Sequence, residues 1–433
     1  MTEKPPTKGK RFFRIAKMTA KVAGNYASSK AKSVFKNKQD SASLAFATHL
    51  LNGELIAKEL GQLKGAAMKV GQMASLAGDY LPPEMIEKLK TLQNDSPPMD
   101  YSVVEAQIES ELGALPERLF DSFDEVPFKA ASIGQVHRAT LDGQELIVKI
   151  QYPGVDESCD SDLRQMRRIF KLAGFAYEKR IVDEMFEEFG RMLHEELDYT
   201  NEAQNIRNFR EQHANDSFVI IPRVIGERSS GRILTMSYEE GLTAEEVRDT
   251  LSPAERNRIG ENIFKLFGRE FFRDRRIHAD PHPGNFAFRA DGSILLYDFG
   301  CVKEIPEKFI RSYRDLIVEG LAMRADHIDT IMFDLNIRKK GSAPIEKEFY
   351  QAFIDAVVPE LTGEHLYDYS TSNLHQKMKS IFPQARRKMF SFQPNPEIAL
   401  VDRLLLGVHN LFRIIGPEFA WRELIEEQIE YVK

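Results

Sequence analysis

Apolar and polar residues alternate with the period of two that a half-buried strand requires in several stretches of this chain. Gly134 to Thr140 and Leu146 to Gln151 flank an Asp142-Gly143 turn and predict a hairpin. Phe286 to Phe288 and Ile294 to Tyr297 flank Asp291-Gly292 and predict a second one. Phe218 to Val224 and Arg232 to Tyr238 predict two further strands. Elsewhere the spacing is helical. Residues 41–95 read as helix rich in small side chains, Gly65, Ala66, Ala67, Gly71 and Ala74, which suits close packing on a neighbour. The pairs Pro82-Pro83 and Pro97-Pro98 break that pattern, and Ser102 with Glu105 predicts a capping box for a helix ending near Gly113. Residues 160–212 read as charged helix, and nearly everything from Leu242 onward, outside the second hairpin, reads as helix. The expected fold class is α+β, a small mixed lobe followed by a large helical one. The expected segments are 1–40, 41–125, 126–240 and 241–433.

Charge changes the picture at one end. The formal net charge is −7, yet residues 1–40 hold 11 basic and 2 acidic residues, a local +9 that leaves −16 for the rest. On a helical wheel Phe12, Ile15, Ala16, Val22, Ala23 and Tyr26 share one side, opposite Lys10, Arg14, Lys17 and Lys21. Such an arm suits an anionic membrane surface; the competing readings are an organelle transit peptide and a solvated basic tail. An acidic body without a nucleic-acid motif argues against nucleic acid as a partner. No run of about 18 apolar residues occurs, and the nearest approach, Leu404 to Gly416, is interrupted by His409, Asn410 and Arg413. Cys159 and Cys301 are too few for a disulfide or zinc framework and fit a reducing compartment.

The second hairpin carries the chemistry. His278 to Asn285 reads His-Ala-Asp-Pro-His-Pro-Gly-Asn, and Asp298-Phe299-Gly300 follows the returning strand. Phosphoryl transfer needs a carboxylate beside the attacking group, with an amide and a second carboxylate on magnesium. Asp280, Asn285 and Asp298 are these residue types in the order of a kinase catalytic loop and metal loop. Lys149, in Ile-Val-Lys-Ile, is a strand lysine that needs phosphate and an acid as partners. Glu195, Asp198 and Glu202 share a helical face at i, i+3 and i+7, and Glu202 is the favoured partner. Where a kinase has a glycine-rich loop, this chain has Lys129-Ala130-Ala131-Ser132-Ile133-Gly134-Gln135, whose alanines restrict the approach to phosphate and imply another nucleotide pose. Met236 to Glu239, after a strand, is placed to offer main-chain groups to adenine.

With these motifs the chain resembles the UbiB family, the atypical protein-kinase-like proteins that include AarF. The matching residues are Lys69-Val70-Gly71-Gln72 for the Lys-x-Gly-Gln motif, Ala130 to Gln135 for the alanine-rich loop, Lys149, and Glu196-Leu197-Asp198 for the Glu-x-Asp motif. Asp280, Asn285 and Asp298 complete the set, and the coverage runs from about residue 45 to 320. The resemblance implies a bilobal kinase-like fold with an N-terminal helical extension packed over the nucleotide cleft. Lys69, Gly71 and Gln72 would reach toward Glu196 and Asp198 and gate it. It also implies ATP or ADP with Mg²⁺ as cofactors, ATPase or unorthodox kinase activity, and support of ubiquinone or related isoprenoid-quinone biosynthesis. The implied partners are an isoprenoid-quinone precursor or lipid and a quinone-biosynthesis complex. The implied place is cytoplasmic and peripheral at an inner membrane, or a mitochondrion or plastid if the arm is a transit peptide. One helical consideration stands against the gating pair: positions 196 and 198 lie about 200° apart on an ideal helix, so both face one cleft only if the helix starts or deforms there.

The chain departs from protein kinases in two ways that argue against regulated phosphorylation of proteins. Its catalytic loop reads His-Ala-Asp without the arginine, and no Ala-Pro-Glu segment follows Gly300. The alternative functions are a small-molecule kinase of the aminoglycoside or choline kinase type, which lacks a Lys-x-Gly-Gln element, and a catalytically idle nucleotide-binding scaffold.

Overall fold

The structure, a computed structural model, describes residues 8–33, 38–63, 84, 87–88, 98–130, 133–172, 179–362, 366–369, 388–393 and 395–432. The chain forms two compact units, one of residues 1–204 and 223–238, the other of residues 205–222 and 239–433.

The first unit is built on an antiparallel sheet of β1 (Ser122–Phe123), β2 (Lys129–Ala130), β3 (Gly134–Leu141), β4 (Gln144–Gln151) and β5 (Ile233–Ser237). Its order is β1-β3-β4-β5, with β2 also on β3. β3 and β4 pair from Gly134↔Gln151 to Leu141↔Gln144. Asp142 and Gly143, at φ of 52° and 73°, supply the two left-handed residues of a tight hairpin turn. Gly134 is required by close approach, since a Cβ there would lie 2.3 Å from the Ile150 carbonyl oxygen. Leu146, Val148 and Ile150 alternate into the core, which puts Lys149 on the opposite face of β4.

Two N-terminal helices, α1 (Lys8–Ser33) and α2 (Lys38–Leu63), form an antiparallel pair. It is joined by Arg14–Glu59 at 2.9 Å, Asn25–Asn52 at 2.7 Å and Tyr26–His49 at 3.0 Å. Ile15, Met18 and Val22 are buried with Ile56 and Leu60 in the same core as Val148. Ile15 and Val22 of the apolar stripe read from the sequence are therefore spent inside the protein, where the second helix covers them, whereas Ala16 stays exposed. Burying each such side chain stabilises by about 1.5–3 kcal/mol. Phe13, Ala16, Lys17 and Lys21 remain exposed. The expected boundary at residue 40 falls inside α2.

A third helix, α3 (Tyr101–Leu112), ends on Gly113 at φ 79°. Its N-cap is Asp100 without a side-chain cap bond, so the expected Ser102–Glu105 capping box does not form; Ser102 already lies within the helix. The expected charged helix resolves into α4 (Val155–Leu172), α5 (Lys179–Glu196) and α6 (Tyr199–Gln212).

The second unit holds α7 (Pro253–Gly268), started by a Ser252–Glu255 capping box and continued by a π-helical stretch, Arg269–Asp274. β6 (Arg276–His278), β7 (Phe286–Phe288), β8 (Ile294–Leu296) and β9 (Val302–Glu304) follow, and α8 (Pro396–Ile415) begins on an Asn395 cap. β7 and β8 form the expected hairpin, with Gly292 at φ 95°. Of Phe218 to Val224 only Val219–Ile220 is strand, parallel to β8. β6 and β9 pair antiparallel, a short sheet that the sequence reading took for helix. Phe209, Phe288, Phe299, Phe412 and Phe419 are fully buried in this unit.

Candidate functional site

In the first unit the Lys149 ammonium lies 2.6 Å from Glu202 Oε1, with the lysine side chain 15% and the glutamate 2% exposed. Such a pair holds only when both partners are present, because either ion alone would keep its desolvation cost. The Tyr199 ring sits 5.3 Å from the ammonium and adds a cation–π contact. Of the three acids placed on one helical face, Glu202 is the one at Lys149. They do not share a helix: α5 ends at Glu196, Leu197 and Asp198 form a break, and α6 starts at Tyr199. Asp198 is spent on that start, its Oδ1 accepting from Asn201 N at 3.0 Å. The Glu-x-Asp residues, Glu196 and Asp198, therefore straddle a helix junction, the local deformation that their spacing called for.

Lys69, Gly71 and Gln72 lie outside the described residues, as do Ala131 and Ser132 of the alanine-rich loop. Ala130 ends β2, and Ile133 is buried. Gln135 is turned into the protein: its Oε1 accepts from Met99 N at 2.7 Å and its Nε2 lies 2.7 Å from His137 Nε2. His137 is tied in turn to the Asp124 carbonyl at 2.7 Å, and burial lowers its pKa against that bond. The Gln135 side chain, read from the sequence as cofactor-binding, thus joins the segment before α3 to the sheet. Met236 lies within β5, paired with Ile147 and bridged to Val224. In the second unit Glu239 offers its carbonyl to Tyr297 Oη at 2.8 Å and its carboxylate to Arg289 at 3.2 Å.

The second unit gathers the catalytic-loop residues. Asn285 Nδ2 donates to Asp280 Oδ2 at 2.9 Å and to the Asp280 carbonyl at 3.1 Å, so the amide oxygen is the atom left to face a cation. Asp280 Oδ1 accepts from Arg403 at 3.0 Å. Burial pushes the Asp280 carboxyl upward, but the Arg403 charge and hydrogen bond outweigh it and leave the group below the usual carboxylate range. Arg403 was not singled out in the sequence. It reaches the site because Gly407, one turn later on α8, rests on Pro281, where a Cβ would lie 2.1 Å from the Pro281 ring.

The metal loop is held from below. Asp298 Oδ1 accepts from Gly300 N at 3.0 Å, and His278 Nε2 contacts the Asp298 carbonyl. Phe299 packs edge-on against Phe209 at 5.2 Å and against His278 at 5.6 Å, and its carbonyl accepts from Asn205 at 3.0 Å. Beneath the strand, fully buried Glu270 on the π-helical stretch accepts from His278 N at 2.7 Å. Burial raises its carboxyl to about 8, against the pull of that bond. Asp216, bound by Arg273 at 2.8 Å and paired with Arg269, is held down at about 2 although burial opposes this.

A strand lysine paired to a helical glutamate, with an Asp-x4-Asn loop joined by a hairpin to Asp-Phe-Gly, defines the class of kinase-like proteins. Residues 91–331, more than half of the chain, match the model of the ABC1 atypical kinase-like domain. The chain belongs to this family, the ABC1 or UbiB-type atypical kinases. Among its relatives is the mitochondrial atypical kinase COQ8 of Saccharomyces cerevisiae, 32% identical over 87% of this chain and 81% of that protein. The mitochondrial atypical kinase COQ8B of Danio rerio is 29% identical over 91% of this chain and 64% of its own length. The chloroplastic ACTIVITY OF BC1 COMPLEX KINASE 7 of Arabidopsis thaliana is 32% identical over 83% of this chain and 51% of its own. The chain thus spans about half to two thirds of the length of the last two. A solved structure of Rv3197 from Mycobacterium tuberculosis, in complex with erythromycin, aligns with a TM-score of 0.59 and 25% identity. It covers 92% of this chain and all of that one. No helix of the described residues is long and apolar enough to cross a membrane.

Proposed function

We propose that this protein is a UbiB-type ATPase or unorthodox kinase that binds ATP or ADP with Mg²⁺ and supports ubiquinone or related isoprenoid-lipid biosynthesis at a membrane surface. The observation that carries the reading is the hydrogen-bonded Asp280–Asn285 pair, joined by the β7–β8 hairpin to Asp298. The donor set fits magnesium, a hard ion that takes oxygen ligands: an amide oxygen from Asn285 and the carboxylate of Asp298. When bound, the ion would neutralise charge developing on the transferred phosphoryl group. Lys149 would hold the α- and β-phosphates, and Glu202 keeps its ammonium oriented. Asp280, anchored by Asn285 and Arg403, keeps its charge but is a weak base. It is suited to aligning an attacking hydroxyl or water, and in a loose phosphoryl-transfer transition state alignment matters more than base strength. Lys69, Gly71, Gln72, Glu196 and Asp198 would form the gating element, with Ala130 to Gly134 and the Met236–Glu239 backbone around the nucleotide.

The test is magnesium-dependent ATP turnover by the full chain and its Asp298→Asn variant. We expect the variant to lose at least about 100-fold in turnover, the scale of removing a preorganised charge, while its fold is retained. Equal, non-zero rates overturn the assignment of Asp298. A wild-type chain that binds ATP but never turns it over makes the protein an idle scaffold. Unchanged quinone levels in a deletion strain would remove the pathway and leave the nucleotide chemistry standing.

A further inference from the structure

A second cluster of reactive side chains lies where α4 packs on α5 in the first unit, within one helical turn of the Glu196-Leu197-Asp198 motif and separate from the Lys149–Glu202 pair. Cys159 and Asp160 of α4 meet His194 in the last turn of α5, and one potential ligand atom from each lies within 4.8 Å of the other two. Asp160 Oδ1 is 3.0 Å from His194 Nε2. A tetrahedral zinc ion, with bonds of about 2.0–2.3 Å, separates neighbouring ligand atoms by about 3.3–3.7 Å, so side-chain adjustments of about 1 Å or less would close the set around one ion. Burial is graded across the cluster. The Cys159 side chain is fully enclosed, whereas Asp160 and His194 are 62% and 56% exposed. Asp160 and His194 also line a groove of about 520 Å³, together with Leu163, Phe186, Arg164 and Arg191.

We propose that Cys159, Asp160 and His194 form a binding site for a divalent transition metal ion of the zinc type, with three protein ligands and a fourth position open to the groove. A thiolate, an imidazole and a carboxylate together favour a borderline-soft ion over magnesium or calcium, which prefer oxygen alone. Three protein ligands with one open position is the pattern of zinc sites that keep a water or bind a further ligand, rather than of closed structural sites. The plain alternative is a surface His–Asp pair above an inert buried thiol. Without metal the thiol is indeed inert: burial, with Asp160, Asp162 and Asp156 adding to it, pushes its pKa up to about 12. Asp160 and Asp162 favour a cation at the cluster, offset in part by Arg164 and Arg191, which line the same groove. Binding converts Cys–SH and M²⁺ into a metal thiolate and one proton, which leaves to solvent, and requires no redox partner. The bound ion would staple α4 to the end of α5, three residues before the helix break at Leu197.

Metal-stripped, reduced full-length protein titrated with Co²⁺ alone tests this. We expect one ion per chain, a near-ultraviolet thiolate-to-cobalt charge-transfer band, and displacement of the cobalt by Zn²⁺ but not by Mg²⁺. Cys301→Ser should keep the band and Cys159→Ala should lose it. Because Cys159 is enclosed and its substitution disturbs packing, the surface variants Asp160→Asn and His194→Gln give an independent reading. Changes outside the ligand shell typically weaken metal affinity by 10–100-fold, so each ligand substitution should weaken it by at least about tenfold. Absence of a stoichiometric band, its loss in Cys301→Ser, or unchanged affinity in both surface variants overturns the proposal.

Discussion

Lys149 and Glu202 are 53 residues apart in the chain and 2.6 Å apart in the fold. Replacing Lys149 with Met would leave an almost fully buried carboxylate uncompensated, a loss of about 3–5 kcal/mol. Chemical denaturation should show that loss, and the double variant Lys149→Met with Glu202→Leu should recover most of it, since the paired ions contribute little net stability over packed apolar groups. Arg403 acts differently, through the charge state of Asp280. A carboxyl held below its unfolded value stabilises the fold above about pH 4, and that stability disappears as pH falls through the folded value. Arg403→Gln should therefore be less stable than wild type at pH 7, with the gap closing toward pH 3 in denaturation curves. It should also move the acidic limb of ATP turnover upward. Lys149, Asp280, Asn285 and Asp298 were legible because each stands in a short motif whose spacing encodes its neighbours. Arg403 was not, because it lies 123 residues from Asp280 and reads alone as a polar residue on a helix.

At the scale of elements, hairpins were the most legible feature: period-two strands around Asp-Gly turns fix their own register. Helix interruptions were less so. The α5–α6 junction left a trace only in the conflicting directions of positions 196 and 198, and the β6–β9 pair, three residues on each side, is too short for a periodic signal. The Cys159, Asp160 and His194 cluster was passed over because a cysteine count cannot see ligands brought in from a neighbouring helix. Packing of α8 on the catalytic loop depends on one missing methyl group. Gly407→Ala puts a Cβ against Pro281, including 2.9 Å from its carbonyl oxygen, so helix or loop must shift. We expect a destabilisation of about 1–3 kcal/mol. Turnover should fall further than that loss of fold explains, because Arg403 moves with the helix; circular dichroism beside ATPase rates separates the two effects.

For the molecule as a whole, the N-terminal charge asymmetry leaves an exposed basic face for the anionic surface its wheel suggested, while part of the apolar face serves the core. Since Ile15, Met18 and Val22 are core residues, deleting residues 1–40 would remove part of the first unit's interior as well as its basic surface. The charge-reversal pair Lys17→Glu and Lys21→Glu isolates the surface. Both positions are exposed, so thermal stability should stay nearly unchanged while flotation with anionic liposomes decreases, by about 1 kcal/mol of binding for each charge removed. Equal flotation would remove the membrane role of this face. The sequence displayed α1 as amphipathic but could not tell which partner its stripe would meet, because lipid and a following helix offer the same apolar contact.

The closing of the chain around α4 and α5 has a wider consequence. Gln151, the last residue of β4, donates from Nε2 to the Leu197 carbonyl at 2.7 Å, fastening together two points 46 residues apart in sequence. This clasp closes the base of the loop of helices, with Lys149 just before it and Glu202 just after, while Asp156 within the loop is tied separately to Arg232 at 2.6 Å. A change of length in the part of this loop that lies outside the core is therefore expected to leave the 2.6 Å Lys149–Glu202 distance in place as long as the clasp holds.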